Sequence, residues 1–295
     1  MPKKTQFAFF IGVLAFALQV RAADPQAKKR LEEPVFRVAK NIDQQAIDNQ
    51  PVHPLDAALR IAYDGLKRVR AEIDDCTVLM IKRERIDGKL REAQYMFTKV
   101  RERKVDQDGK VIVPLSVYTK FLKPRNLRGQ EAIWVEGRNS ENKLVAHASQ
   151  TQFFKKCFTV WLDPNGKLAT AGSKYRIYNA GLENFVLQMI EIAEHDRNFG
   201  ECKVNFYKNA AINDRVCTLI EVIHPHRRDH FKFHIARIYI DDKLGVPIRY
   251  ASWDWPASPG GKPLLQEEVT YLNIKVNVGL KDKDFDHNNP DYAFP

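Results

Sequence analysis

Apolar positions along the chain change period three times. Leu55, Ala58, Leu59, Ala62, Leu66, Val69 and Ile73 recur every three or four residues, which predicts a helix with one apolar stripe. The period then shortens to that of strands. Thr77 to Arg85 is rich in β-formers and stops at Asp87-Gly88, and Ala93 to Arg103 runs on to Asp106-Gln107-Asp108-Gly109, so two hairpins are expected. Val111 to Leu122, Ala132 to Glu136, Leu144 to His147, Phe153 to Leu162 and Leu168 to Ala171 continue a meander, with turn chemistry between them, as at Pro164-Asn165-Gly166. From Gly181 the helical period returns in Leu182, Phe185, Val186, Met189, Ile192 and Ala193, and fades by Gly200. Val204 to Tyr207, Val216 to Ile223, Phe231 to Ile240, Pro247 to Trp253 and Leu265 to Lys275 close the chain as strands.

The order helix, strands, helix, strands lacks the alternation of a parallel sheet and predicts an α+β antiparallel sheet with helices against one face. Several strands are apolar on both faces: Thr77, Leu79 and Ile81 alternate with Val78 and Met80, and Phe158, Val160 and Leu162 with Cys157 and Trp161. Such strands need cover on both sides, from helices, sheet curvature or a ligand.

The first residues bear on compartment. Lys3 and Lys4 precede an uncharged apolar run from Phe7 to Leu18, and Val20-Arg21-Ala22 offers small residues for cleavage, the pattern of an export signal over 1–22. The run is shorter than the ~20 residues that span a bilayer. A charged arm, 23–53, follows, with a weak helical period through Phe36, Ala39, Ile42 and Ala46 and an end at Pro51 and Pro54. One β-rich domain is then expected over 54–295. The formal charge of +10 includes Lys3, Lys4 and Arg21, so the exported chain would carry +7. A basic exported chain meets anionic lipid headgroups and cell-wall polymers before nucleic acid, whereas the even spread of its Lys and Arg is equally accounted for by solubility alone.

Cys76, Cys157, Cys202 and Cys217 are an even set with no C-x-x-C spacing. Cys202 and Cys217 flank two strand-like runs whose hairpin would bring them close, so a disulfide between them is one expectation and buried thiols are the other. His224, His226, His230 and His234 are weak metal candidates, because Pro225 breaks the geometry and Arg227, Arg228 and Lys232 oppose a cation. Asp282, Asp284, Asp286 and Asn288 alternate like a calcium loop but lack its glycine and terminal glutamate. Neither G-x-S-x-G nor a phosphate-binding glycine motif occurs, so no catalytic residue and no cofactor is assigned. Trp253-Asp254-Trp255-Pro256 is an aromatic loop able to meet a partner or to pack on its own sheet.

Several segments together resemble the bacterial family of domain of unknown function (DUF) 1571: Pro114 to Leu122 with Gly129 to Trp134, then Gly137-Arg138-Asn139 and His147. Gly181-Leu182-Glu183-Asn184, Asp254-Trp255-Pro256, Asp284-Phe285-Asp286 and Asn289 to Phe294 complete the pattern. The order of elements also resembles, more loosely, the LolA and LolB type of periplasmic lipoprotein carrier. That resemblance implies a curved, incomplete antiparallel barrel with two helices on its concave face and a cavity for acyl chains. The function it implies is sequestration of a lipid, lipoprotein acyl chain or other apolar ligand in the envelope. Val117, Phe121, Ile133, Val135, Phe185 and Met189 are the candidate lining residues. The alternatives are an envelope sensor or module that binds a partner protein without a cavity, and a His-ligated metal enzyme.

Overall fold

The computed structural model describes residues 36–37, 41–42, 53–147 and 158–295, and one compact unit runs from Pro34 to Pro295. The export-signal residues, Cys157 and the stretch from Phe153 to Cys157 lie outside the described residues. The compact unit begins ahead of the Pro51 and Pro54 boundary read from sequence.

The elements are β1 (Phe36–Arg37), β2 (Asn41–Ile42), α1 (Asp56–Glu72), β3 (Asp75–Ile86), β4 (Lys89–Leu90), β5 (Gln94–Arg101), β6 (Lys104–Val105), β7 (Val111–Val113) and β8 (Ser116–Lys123). Then come β9 (Glu131–Val135), β10 (Leu144–His147), β11 (Thr159–Leu162), α2 (Leu182–Arg197), β12 (Lys203–Ile212), β13 (Arg215–Ile223), β14 (Ile235–Asp241), β15 (Pro247–Asp254) and β16 (Leu264–Val276). One antiparallel sheet takes the order β1-β12-β13-β14-β15-β16-β3-β5-β8-β9-β10-β11, and it is not closed. β6 and β7 form a separate ribbon. Among the described residues no helix is long and apolar enough to cross a membrane.

Three local readings are corrected. The weak helical period through Phe36 and Ile42 is strand: β1 and β2 add to the edge of β12, whose unpaired backbone groups would otherwise face water. Leu168 to Ala171 is a turn, because Thr170 bonds back to the Gly166 carbonyl through both its N–H and its hydroxyl. Cys202 and Cys217 are both free thiols. The hairpin turns at Asn213-Asp214, so Cys217 lies opposite Ala210 near the turn while Cys202 adjoins Lys203, opposite Ile223, at the open end. The two sulfurs therefore sit at opposite ends of the hairpin.

The helices run antiparallel, laced by Asp56 to Arg197 at 2.7 Å, Tyr63 to Glu194 at 2.9 Å and Arg70 to Glu183 at 2.8 Å. Leu59 and Leu66 of α1 and Val186 and Ile190 of α2 share one core with Val204 and Phe206 of β12, Ile220 and Val222 of β13, and Ala236 and Ile240 of β14. Gly65 lets α1 approach the β14–β15 turn closely, since a Cβ there would lie 2.9 Å from the Gly245 carbonyl oxygen.

On the opposite face of the sheet the C-terminal tail folds over β8 to β10. Phe285 enters a cluster with Tyr118, Ile133, Val135 and Val145, and Tyr292 stacks on Tyr118 with ring centroids 4.1 Å apart. The acidic residues that look like a calcium loop are engaged in this docking: Asp282 pairs with Arg101 at 2.6 Å and Asp284 with Lys99 at 2.8 Å. Removing a fully buried ring leaves a cavity, so Phe285→Ala is expected to cost about 3–5 kcal/mol in urea unfolding. A loss below about 1 kcal/mol would show that the tail is not part of the core.

Candidate functional site

The helices cover the sheet over β12 to β15, and beyond that core the same sheet face floors a cavity of about 1070 Å³. The floor follows from register. Tyr271, Met80, Met96 and Phe121 pair across β16, β3, β5 and β8. Thr98, Thr119, Ala132, Ala146 and Val160 pair across β5, β8, β9, β10 and β11 in the same way. Because strand side chains alternate, each of these rows points into one space. The hydroxyls of Thr98 and Thr119 lie 3.3 Å apart in an otherwise mainly apolar floor.

The second wall is α2, which contributes Phe185, Gln188, Met189, Ile192, Ala193 and Asp196. Its N-terminus is held by a residue distant in sequence. Glu102, 2 % exposed, accepts the Leu182 N–H at 2.7 Å, which meets one of the unpaired donors of the first helical turn. Burial raises the Glu102 carboxyl to about 7, against the backbone hydrogen bonds from Leu182 and Glu183. Nearby Glu183 pushes it the same way as burial, and Lys104 opposes. The C-terminal end of α2 meets the histidine-rich loop: Asp196 lies 3.0 Å from His195 Nδ1 and 3.4 Å from His224 Nε2. Phe199 stacks on His230 at 3.8 Å and His224 on Phe231 at 3.8 Å.

The third wall is a strap, residues 168–180, laid across the cavity. Its ties to the sheet are mainly polar, joined by Tyr178 against Trp134 of β9 with ring centroids 5.3 Å apart. Lys82 donates to Ser173 at 2.6 Å and pairs with Glu84 at 2.9 Å, and Glu84 accepts the Lys174 N–H at 2.9 Å. Tyr175 donates to Glu267 at 2.9 Å, and Tyr271 to the Ala180 carbonyl at 3.0 Å. Asn165 Oδ1 stiffens the strap by accepting from Arg176 and from the Tyr178 hydroxyl, both at 2.8 Å.

Of the six residues named from sequence, Val117, Phe121, Phe185 and Met189 line this space. Ile133 and Val135 do not: alternation along β9 turns them to the opposite face, into the cluster under the C-terminal tail, and Ala132 faces the cavity instead. The four histidines do not gather. His226 is exposed, His230 stacks on Phe199, His234 bonds to the His224 carbonyl at 2.8 Å, and His224 is held by the Phe233 carbonyl at 3.0 Å. Among the described residues no group of three or more His, Cys, Asp or Glu is arranged to hold a metal ion. Trp253 lies under the Arg237 guanidinium at 5.2 Å and Trp255 against His234 at 5.6 Å, so this loop packs on its own sheet. Sequence reasoning missed the strap and Glu102; the turn residues on either side of 168–171 were the signal available for the strap, and a charged Val-Arg-Glu-Arg stretch gives none for a buried cap.

Residues 73–294 match the family described as "Protein of unknown function (DUF1571)". No curated protein matches the chain. Among solved structures, a putative outer membrane lipoprotein-sorting protein domain from Vibrio parahaemolyticus is 14% identical, with a TM-score of 0.36, over 78% of this chain and 96% of that one. A LolA superfamily protein from Nitrosomonas europaea is 12% identical, with a TM-score of 0.31, over 77% and 97%. MucB is 10% identical, with a TM-score of 0.41, over 78% of this chain and 63% of MucB.

Glu102 makes stability depend on pH with a definite sign. Its folded value, about 7, lies above the ordinary 4.5, so its contribution is fully present below about pH 4.5 and is lost as pH rises through 7. Glu102→Gln, neutral throughout, is expected to gain on the wild type across that window, by up to roughly 3 kcal/mol. Melting curves of both proteins from pH 4.5 to 8 measure this, and parallel curves would show that the buried carboxyl does not titrate.

Proposed function

The chain belongs to the DUF1571 family, and from the size and lining of its cavity we propose that it is a cell-envelope binding protein that sequesters an apolar ligand between sheet, α2 and strap. The observation that carries this reading is the cavity itself. At about 1070 Å³ it stands at the top of the ~300–1,000 Å³ range of ligand pockets. A tightly packed interior does not keep such a volume, because side chains close voids larger than a water molecule. Methionines at positions 80, 96 and 189, with Phe121 and Phe185, offer adaptable and aromatic apolar surface. Each Å² of apolar ligand surface moved from water into that lining contributes about 25 cal/mol.

A lipid, a lipoprotein acyl chain or another long apolar molecule fits this description, and the sequence supplies the compartment. The pattern over 1–22 supports export, and the described helices include none able to span a membrane. Of the described lining residues, Ser173 meets Lys82, but that ammonium is ion-paired with Glu84 and donates to the hydroxyl instead of taking its proton, so the reading is binding rather than turnover. Val117, Phe121, Phe185 and Met189 would contact the ligand. The partner-binding alternative draws nothing from Trp253 to Pro256, which is half-buried.

Native mass spectrometry of protein purified from the periplasm, followed by organic extraction, is expected to show a co-purifying lipid near one per chain. Met189→Trp and Met96→Trp, which place an indole in the cavity, are expected to weaken uptake of a fluorescent fatty acid at least tenfold without lowering the melting temperature. A protein that is empty as isolated and takes up no fatty acid would replace this reading with that of an interaction module.

A further inference from the structure

The cavity opens at one end of the sheet, and that end is basic. Arg91, Glu92 and Asn126 are exposed and also line the cavity, so the mouth lies between the β3–β5 hairpin and the β8–β9 loop. These two loops are neighbours because Tyr95 at the start of β5 pairs with Lys123 at the end of β8. The strap reaches the same end at Ser173 and Lys174, which bond to Lys82 and Glu84. Together, residues 82–94, 123–130 and 173–176 carry ten Lys and Arg against three Asp and Glu. Lys89, Arg91, Arg125 and Arg128 are exposed, and among the described residues none has a carboxylate partner. Between Arg125 and Arg128, Leu127 is half-buried and lines the cavity.

We propose that this end of the protein is a docking surface for an anionic lipid bilayer, seated with the cavity mouth against the headgroups. The chemistry is specific to such a surface. Unpaired guanidinium and ammonium groups on two adjacent loops meet a plane of negative charge together, and the apolar side chain of Leu127 between them enters the headgroup boundary. A cavity mouth placed there lets an apolar ligand pass between membrane and protein without crossing water. The inference rests on the proposed function for that use of the mouth, while docking itself is measurable without any ligand.

The test is co-sedimentation with vesicles of phosphatidylcholine alone or mixed with phosphatidylglycerol, using the protein obtained by expressing the full chain. Wild type is expected to bind the phosphatidylglycerol vesicles selectively and to release them as salt rises. Each neutralised basic side chain is expected to cost about fivefold in affinity, so the combined Lys89→Gln, Arg91→Gln, Arg125→Gln and Arg128→Gln variant should lose binding more than a hundredfold. Leu127→Asp should weaken it at low and at high salt alike. A control with the same charge change at the other end of the sheet, Lys110→Gln, Lys243→Gln, Lys275→Gln and Lys281→Gln, should bind as wild type. Equal losses in mouth and control variants would reduce the effect to net charge and overturn the proposal, as would wild type ignoring phosphatidylglycerol. Fatty-acid uptake measured without vesicles separates the two readings: a mouth variant that loses vesicles but keeps uptake supports docking, and one that keeps vesicles overturns it whatever the uptake shows.

Discussion

A path of twelve hydrogen-bonded strands presents far more apolar face than two helices can cover, and the architecture follows from that mismatch. At ~4.8 Å between strands the path is roughly 50 Å wide, whereas two helices side by side cover roughly 20–25 Å. The 17-residue and 16-residue helices settle over β12 to β15, where their leucines and valines meet Phe206, Ile220 and Val222. Strands β3, β5 and β8 to β11 remain apolar on the same face beyond that helix-covered core, and β16 meets α2 through Tyr271 against Phe185 at 5.4 Å. Something irregular must cover them, and the chain uses the strap for this. The strap reaches across without filling, and the space beneath it is the cavity. On the opposite face the shortage is met by the C-terminal tail, whose rings pack down onto β8 to β10.

The walls differ in how they are held. α1 and α2 meet the sheet through buried aliphatic contacts, and α2 is pinned at both ends, by the Glu102 carboxyl at its start and by the histidine and phenylalanine rings at its finish. Both pins carry titratable groups in low-dielectric surroundings. Burial holds His224 below its usual value, with Asp196 and the Phe233 carbonyl pulling it back up, while it raises Glu102. The helix therefore depends on groups whose neutral forms the interior favours. That is a costly way to secure a helix, and it places the N-terminus of α2 where a short polar cap from the preceding turn would not reach.

The alternation of apolar and polar positions carried most of this fold. Both helices, the β3–β4 turn at Asp87-Gly88 and strands β13, β15 and β16 are where their periods place them, because helix and strand periods report which face is buried, whereas β12 runs on to Ile212 and β14 begins at Ile235 instead of Phe231. The doubly apolar strands also told truly that β3 and its neighbours need cover on both sides. Which face meets which cover is a question of register, set by turns a residue or two long, and there the reading failed. Cys202 and Cys217 stand at opposite ends of one hairpin and are not neighbours, and one step along β9 exchanges Ile133 for Ala132 at the cavity. Glu102 was illegible for a different reason: nothing local distinguishes a buried carboxyl that caps a helix eighty residues away from a solvated one.

Of the three walls, the strap is the one whose displacement costs least. Moving α2 would expose the aliphatic core it shares with β12 to β14, and moving the floor would break a continuous ladder. The strap leaves Leu168 in solvent and is tied mainly by Lys82, Glu84, Tyr175 and Glu267, groups that water can satisfy when they separate, with one ring contact between Tyr178 and Trp134. Exchanging such ties for hydration costs on the order of 1 kcal/mol each, whereas uncovering a buried leucine or phenylalanine costs ~1.5–3 kcal/mol. Segments held this way open at lower free energy than the packed core. The wall that yields most readily is thus also the one tied, at Ser173 and Lys174, beside the mouth.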